Sequence, residues 1–296
     1  MYKNLKILSR KSELARIQAN LVANAIRKIY KNTTIEFHTS ESIADKNQSL
    51  TISSSDQVGL FTKDISEKLV KDDFDIAVHS WKDIPIFPSE DTSIASTLAR
   101  GDMRDIIIFK NEIFQKKVDT IEILTSSPRR KYNLSKILFD LIPTDIENLI
   151  FKDIRGNIET RLNKFNKGDS QGIIVAKVAL DRILQHGMPK TKKKIRSIIQ
   201  NNKWILLPIS LFPTAPGQGA IGIEVKKDRK NLIKLLGEVN CKKTYENVLQ
   251  EKKIMARYGG GCQQKIGLSI WERHGKKIIS MCGKTDNKIT LNQFSI

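Results

Sequence analysis

A group of ionisable side chains directly follows a short apolar run in the first third of the chain. The run covers residues 76–78, and His79-Ser80-Trp81-Lys82-Asp83 comes after it, with Pro85 two positions further on. The run predicts a covered strand of a parallel sheet, and Pro85 disfavours a helix directly after it. Because ligands of open α/β sheets bind outside the carboxyl ends of strands, Lys82 and Asp83 are candidates for a binding or catalytic site. A solvated turn, in which the lysine and the aspartate pair with each other, is the alternative that these residues leave open.

Arginines and hydroxyl residues lie at several other predicted strand ends, in or near the first turns of the helices that follow. Free N–H groups, the helix dipole, hydroxyl groups and guanidinium groups together predict a receptor for carboxylate or phosphate groups there. Ordinary surface residues at turns are the alternative. If these residues act together, the ligand is a polyanionic small molecule held in a cleft between two α/β lobes. The residues concerned are Arg10, Ser12, Thr125, Ser127, Arg129, Arg130, Arg155 and Arg161.

The hydrophobic pattern predicts the elements that position these residues. Apolar strands alternate with amphipathic helices over most of the chain, which is typical of parallel sheets covered by helices. The predicted fold class is α/β, with two doubly wound lobes and a small α+β C-terminal domain. The strand at residues 204–207 is expected to return the chain to the first lobe. The predicted domains are residues 1–99 with 203–218, residues 104–197, and residues 222–296, the last of which carries Cys262.

The composition limits the classes of partner. The chain has 296 residues, with 51 Lys+Arg against 32 Asp+Glu, and its formal net charge of +19 raises nucleic acid or another polyanion as a partner. A/T-rich codons, or runs such as residues 190–196 on an exposed linker or helix face, account for this charge equally well. Aromatic residues make up only 6% and do not alternate with basic ones, so we expect no nucleic-acid partner. No apolar run of about 18 residues and no secretory signal is present, so we expect no membrane partner and a cytoplasmic location.

The cysteines and histidines do not have the spacing of a disulfide framework or a metal site. There are three cysteines and four histidines, and we expect reduced thiols and no metal. Cys262 differs from the other two because it follows three consecutive glycines, which present its thiol on a pliable loop as a nucleophile or attachment point. A small buried hydrophobe after a helix end is the alternative.

Several motifs, taken in their order and spacing, resemble one family. They are Ser9-Arg10-Lys11-Ser12 with Gln18, His79-Ser80-Trp81-Lys82-Asp83-Ile84-Pro85, Ser126-Ser127-Pro128-Arg129-Arg130, Ile154-Arg155-Gly156-Asn157 with Thr160-Arg161-Leu162, Pro216-Gly217-Gln218-Gly219-Ala220, and Gly260-Gly261-Cys262-Gln263. Over nearly its whole length the sequence resembles the porphobilinogen deaminases, also called hydroxymethylbilane synthases. The resemblance implies two lobes similar to type II periplasmic binding proteins, a third domain, and a dipyrromethane cofactor joined by a thioether to Cys262. It also implies a monomeric enzyme of tetrapyrrole (heme) biosynthesis that condenses four porphobilinogen molecules head to tail and releases ammonia at each step.

The resemblance further implies a role for each motif. Asp83 would be the catalytic residue, a lone acid in a basic cleft, where it stabilises the cation formed as ammonia leaves. Basic and hydroxyl residues would bind the carboxylates of the cofactor and substrate. These residues are Arg10, Ser12, Ser80, Lys82, Thr125, Ser127, Arg129, Arg130, Arg155 and Arg161.

The segment before Gly59 departs from the family pattern. Ser54 and Val58 stand where the family has lysines, and Ser42-Ile43-Ala44-Asp45 lacks an arginine. Each charge-assisted contact contributes about 1.5–3 kcal/mol when well formed, so we expect weaker binding of substrate or cofactor. The alternative to an active transferase is a degenerate family member that binds tetrapyrrole precursors or other polyanions with little or no turnover. The polar residues 39–57 around these positions predict a loop.

Overall fold

The structure is a computed structural model that describes residues 3–40, 62–86, 89–115, 118–143, 146–259, 264–285 and 290–295. The chain forms two compact units, one of residues 1–101 with 217–261 and one of residues 102–216 with 262–296. Within the described ranges, none of the helices combines the length and the apolar character that a membrane span requires.

The described segments contain thirteen strands and eight α-helices. The strands are β1 (Asn4–Arg10), β2 (Thr34–Ser40), β3 (Ile76–Ser80), β4 (Thr92–Ser96), β5 (Asp105–Lys110), β6 (Thr120–Leu124), β7 (Asn148–Lys152), β8 (Gly172–Ala176), β9 (Asn202–Leu206), β10 (Ile221–Lys226), β11 (Gly267–Arg273), β12 (Lys276–Lys284) and β13 (Thr290–Ser295). The helices are α1 (Glu13–Ile29), α2 (Lys63–Lys71), α3 (Pro128–Leu141), α4 (Ile158–Lys167), α5 (Lys177–His186), α6 (Pro189–Gln200), α7 (Lys230–Glu238) and α8 (Lys242–Ala256).

The first unit is built on a five-stranded sheet with the order β2-β1-β3-β10-β4. Strands β1, β2 and β3 are parallel, and β10 runs antiparallel to both β3 and β4. Helix α1 begins where Ser12 accepts a hydrogen bond from the N–H of Ala15 at 3.3 Å, as a helix N-cap does. Its buried face, with Val22 and Ile26, packs on the apolar side chains of β1, β3 and β10. The amphipathic spacing thus fixes which face of α1 covers the sheet.

The second unit repeats this arrangement with the order β7-β6-β8-β5-β9. Three parallel strands are again followed by one antiparallel strand and an edge strand. The unit also includes an antiparallel sheet of β11, β12 and β13. Two helix-covered α/β sheets and a small C-terminal sheet confirm the predicted fold class.

Two strands lie in a different sheet from the one that the sequence predicted. The strand expected to return the chain to the first lobe is β9, and it pairs with β5 in the second sheet because Ile205 and Leu207 pack into the second core. Strand β10, predicted to belong to residues 222–296 as a separate small domain, lies between β3 and β4 because Ile221, Ile223 and Val225 are buried in the first core. The division into three domains as a whole stays a prediction.

The lysine-rich run at residues 190–196 lies on helix α6, and this confirms the prediction of a helix face. Thr191, Ile195 and Ile198 are buried, while Lys193 and Arg196 are exposed. The apolar positions therefore hold the helix on its unit and leave the basic face in solvent.

Strand direction brings the predicted site residues of each unit to one edge of its sheet. In the first unit, the carboxyl ends of β1 and β3 lie beside the amino end of β10, because β10 is antiparallel. In the second unit, the carboxyl ends of β6, β7 and β8 lie beside the amino end of β5 for the same reason. Loops at these edges are where open α/β sheets bind ligands.

Candidate active site

The predicted catalytic loop is a single 3₁₀ turn, Trp81–Asp83, at the end of β3. Trp81 is buried, and its ring lies 5.3 Å from that of Tyr245. The backbone N–H of Trp81 donates to the carbonyl of Ala220 at 3.0 Å. Lys82 is partly exposed, and its Nζ donates to Oε1 of Gln218 at 3.2 Å. Asp83 is also partly exposed, and its carboxylate has no hydrogen bond or ion pair with any residue that the structure describes. The turn thus presents a partly exposed carboxylate that no described residue pairs with.

The turn at residues 216–219 packs directly against this 3₁₀ turn. Gly217 has a φ of +78°, and a Cβ atom at this position would lie 3.1 Å from the N atom of Lys82 and 3.2 Å from the carbonyl carbon of Trp81. Both the left-handed backbone and the close approach therefore require glycine. This packing explains why the Pro-Gly-Gln-Gly motif and the Asp83 motif occur in one chain.

Arg100 and Glu251 bind each other and the backbone of the turn at residues 216–219. The two guanidinium nitrogens of Arg100 contact the two carboxylate oxygens of Glu251 at 2.7 and 3.0 Å, in a forked arrangement. Nε of Arg100 donates to the carbonyl of Gln218 at 2.8 Å, and the N–H of Gly217 donates to Glu251 Oε2 at 2.7 Å. Glu251 on α8 therefore anchors both the turn and the segment in which the chain leaves the first unit.

A buried contact between an imidazole and a carboxylate lies on the strands that carry the catalytic turn. Nε2 of His79 on β3 and Oε2 of Glu224 on β10 are 2.7 Å apart, and both side chains are buried. Ser66 of α2 and Thr92 of β4 also donate to the Glu224 carboxylate, at 2.8 and 2.5 Å. Burial alone would raise the pKa of Glu224, but His79 and the two hydroxyl groups together hold that pKa below its ordinary value. The charged carboxylate thus joins three strands and α2 beneath the site.

The other predicted residues of the first unit lie at the same sheet edge. Arg10 ends β1 and is partly exposed, and Ser12 caps α1. The hydroxyl of Ser80 accepts a hydrogen bond from the buried Gln18 at 2.9 Å, which fixes the end of β3 against α1. The structure therefore brings Arg10, Ser12, Ser80, Lys82 and Asp83 to one edge.

In the second unit, the paired arginines are bound to a carboxylate of the chain itself. Asp105 at the start of β5 is fully buried, and its two oxygens contact Nη2 of Arg129 and Nη2 of Arg130, each at 2.7 Å. Arg129 also donates to the carbonyl of Pro213 at 2.9 Å, and Arg130 donates to that of Ile174 at 3.2 Å. Burial alone would raise the pKa of Asp105, but the two guanidinium groups hold it far below its ordinary value. The two guanidinium groups together carry one more positive charge than the Asp105 carboxylate neutralises.

The remaining predicted residues of this unit lie at the ends of β6 and β7. Thr125 is buried and accepts from the N–H of Ser127 at 3.3 Å, and Ser127 caps α3 through the N–H of Arg130 at 3.4 Å. Arg155 is exposed after β7, and Nε of Arg161 donates to the carbonyl of Gly156 at 2.7 Å. The hydroxyl and basic residues predicted for carboxylate binding thus lie at one edge of the second sheet.

Some predicted positions fall outside the described residues. They are the expected attachment residue Cys262 and the segment with Ser54 and Val58. The predicted loop at residues 39–57 is described only at Thr39 and Ser40, which end β2.

Three acidic residues of the site were missed from the sequence. Asp83 was expected to be the lone acid among the basic residues, but Asp105 lies between Arg129 and Arg130 in the second unit. A carboxylate at the start of, or inside, an apolar strand needs a buried partner, and this signal was present at Asp105 and at Glu224. Glu251 lies on an amphipathic helix, where its residue type alone gave no comparable signal.

Comparisons with known proteins agree with these observations. The family model described as porphobilinogen deaminase, dipyromethane cofactor binding domain, matches residues 5–234. A porphobilinogen deaminase of Nostoc sp. is 31% identical over 281 residues, covering 94% of this chain and 80% of the relative. A probable porphobilinogen deaminase of Picrophilus torridus is 33% identical over 265 residues, covering 90% and 84%, and one of Sulfurisphaera tokodaii is 32% identical over 294 residues, covering 98% and 90%.

Similarity to solved structures is much lower than similarity to these sequences. The methionine binding protein MetQ, for example, matches with 12% identity and a TM-score of 0.43, covering 84% of this chain and 96% of that chain. The family model spans most of the chain, and the three relatives match at least nine tenths of it. The chain belongs to the porphobilinogen deaminase family, whose members are transferases that use a dipyrromethane cofactor.

Proposed function

We propose that this chain performs the hydroxymethylbilane synthase reaction of its family with Asp83 as the catalytic carboxylate. The observation that carries the proposal is the state of that carboxylate. It stands on a turn held by Ala220, Gln218 and Gly217, yet no described residue pairs with it. A fixed carboxylate without a partner is available to a cation that forms during the reaction.

The donor set fits a dipyrromethane and its growing chain in chemical terms. Each pyrrole unit carries acetate and propionate carboxylates, and guanidinium, ammonium and hydroxyl groups are the donors that bind carboxylates best. Arg10, Ser12, Ser80 and Lys82 supply such donors at the edge of the first sheet. Those of the second sheet are Thr125, Ser127, Arg129, Arg130, Arg155 and Arg161. We propose that Cys262 holds the cofactor through a thioether, and when bound the cofactor supplies the pyrrole carbon to which the first substrate is joined.

Each step breaks a carbon–nitrogen bond of the protonated aminomethyl group and a carbon–hydrogen bond of the attacked pyrrole, and it forms one carbon–carbon bond. The bond between the methylene carbon and nitrogen of porphobilinogen breaks, ammonia leaves, and positive charge spreads over the substrate's methylene group and pyrrole nitrogen. A new carbon–carbon bond then forms, and the attacked pyrrole carbon loses its proton. In this proposal Asp83 stabilises the positive charge and the pyrrole N–H, and its carboxylate accepts the proton. Removal of a single stabilising donor or charge of this kind lowers the rate by about 10²–10³.

Two measurements on the purified protein test the proposal. Intact-protein mass should exceed the polypeptide mass by two linked pyrrole units, and the excess should be absent in Cys262→Ser. Conversion of porphobilinogen to a uroporphyrin-forming product should fall by about 10²–10³ in Asp83→Asn, while the cofactor stays attached. Asp64→Asn is a control, because Asp64 is an acidic residue of helix α2 that no step uses.

Three results would contradict the proposal in different ways. A wild-type mass equal to the bare polypeptide, with no turnover, removes the cofactor assignment. A loaded protein that binds porphobilinogen without forming product identifies the degenerate member considered from the sequence. Turnover in Asp83→Asn close to that of the wild type assigns the chemistry to another residue.

We also propose that the chain works as a cytoplasmic monomer, and light scattering on a sizing column tests the oligomeric state.

A further inference from the structure

Helix α8 presents two adjacent buried ions of opposite charge to the two turns of the site. Glu251 has no exposed surface, and Lys252 is 8% exposed. Glu251 accepts the N–H of Gly217 at 2.7 Å and so holds the 216–219 turn. Nζ of Lys252 donates to the carbonyl of Ile84 at 2.6 Å. The two neighbours on one helix therefore hold the two turns that pack against each other.

The carbonyl that Lys252 binds belongs to the residue directly after Asp83. The N–H of Ile84 closes the 3₁₀ turn on the carbonyl of Trp81 at 3.2 Å, and the side chain of Ile84 is buried against Val248 of α8. On the other side, the N–H of Trp81 is bound to Ala220. Both ends of the turn are thus fixed, and Lys252 fixes the end next to the carboxylate.

We infer that Lys252 is a positioning residue that sets the orientation of the Asp83 carboxylate through the Ile84 carbonyl. The inference rests on the proposed function of Asp83. Burying an ammonium group is unfavourable, and a methionine of similar length would fill the same space without that cost. A hydrogen bond from a charged donor to one backbone carbonyl is what a methionine cannot supply. The hydrogen bond from Nζ of Lys252 to the Ile84 carbonyl thus contributes to the fixed geometry of the turn.

Lys252→Met tests the inference, with Lys253→Met as the matched control on the exposed face of the same helix. We expect Lys252→Met to keep its cofactor and to lower kcat by about tenfold or more, since small displacements of a catalytic group have such effects. KM for porphobilinogen should change less than kcat, because Lys82 is the one proposed carboxylate-binding residue on this turn and the others lie on other elements. Lys252→Arg, which keeps a cationic donor, should recover part of kcat. Lys253→Met should match the wild type in both constants.

The double variant that combines Lys252→Met with Asp83→Glu tells whether Lys252 acts through Asp83 or only supports the structure in general. Asp83→Glu keeps a carboxylate but displaces it, so removal of Lys252 should have a much smaller effect in that background than in the wild type. Equal effects in both backgrounds, or wild-type kcat in a folded Lys252→Met, would overturn the inference. If Lys252→Met does not fold, Lys252→Gln replaces it in the same comparisons under the same criteria. Wild-type turnover in Asp83→Asn would instead overturn the proposed function, so the two failures are distinct.

Discussion

Asp105→Asn is expected to be one of the most destabilising single changes in the second unit. Asparagine has nearly the size of aspartate, but it leaves Arg129 and Arg130 without the carboxylate they share. The arginines are 4% and 8% exposed, and Asp105 is 0% exposed, so solvent cannot replace the lost charge. Removal of one partner from a buried ion pair costs about 3–5 kcal/mol, and we expect a loss of that size in the free energy of unfolding.

The pH dependence of this loss has a definite sign. The pKa of Asp105 in the folded chain lies well below its ordinary value, so its stabilisation is complete above the ordinary carboxyl pKa. The stabilisation is lost progressively as the pH falls below about 5, where the unfolded chain binds a proton and the folded chain does not. The difference between the wild type and Asp105→Asn should therefore be largest near neutral pH and should narrow in acid.

Urea unfolding followed by tryptophan fluorescence measures this difference. Trp204 and Trp271 belong to the same unit as Asp105, so they report on its unfolding. Asp153→Asn is the control, because Asp153 also pairs with a cation, Lys131, at 2.6 Å but its side chain is 70% exposed. The control should lose no more than about 1 kcal/mol. The reasoning is refuted if Asp105→Asn loses no more than the control, or if its loss does not depend on pH.

Three further predictions concern other residues of the site. Glu224→Gln should destabilise the first unit near neutral pH, because it removes the buried charged acceptor that His79, Ser66 and Thr92 share. The pKa of Glu224 is below its ordinary value, so this loss should narrow in acid, and urea midpoints that do not converge with the wild type there would contradict the prediction. Gly217→Ala should lower the free energy of unfolding by about 1–3 kcal/mol, because alanine is strained at this positive φ, and it should also lower kcat. A variant with unchanged melting temperature and turnover would show that the backbone near Lys82 relaxes to accept the added Cβ. Ser127→Ala should lose about 1 kcal/mol as a helix cap, and an unchanged free energy of unfolding would contradict the capping role.

Elements with strong apolar runs could be predicted well from the sequence. The apolar run at residues 76–78 was predicted to be a covered strand, and it lies in β3 with all three side chains buried. Ser12 was expected in or near the first turn of a helix, and it is the N-cap of α1, because capping depends on local chemistry. Such features depend on a few neighbouring residues, so the sequence determines them directly.

Choices between distant partners could not be predicted in the same way. Strands β9 and β10 are both short and apolar, and only long-range pairing decides which sheet each joins. The arginines at 129 and 130 were predicted to bind a ligand, and the sequence did not show that Asp105, more than twenty residues away, already compensates one of their charges. Local pattern gives the residue types at a sheet edge, whereas the pairing of charges there is a property of the folded chain.

The pairing of acids in the two units supports the choice of Asp83 more strongly than its sequence motif does. Asp105, Glu224 and Glu251 are buried, and each contacts a cationic or imidazole partner at 2.7 Å. These carboxylates stabilise the fold, and their charges are already compensated. Asp83 is partly exposed on a turn whose backbone is fixed at both ends, and no described residue compensates it. Of these four carboxylates, it is therefore the one whose charge remains to stabilise a cation supplied by the substrate.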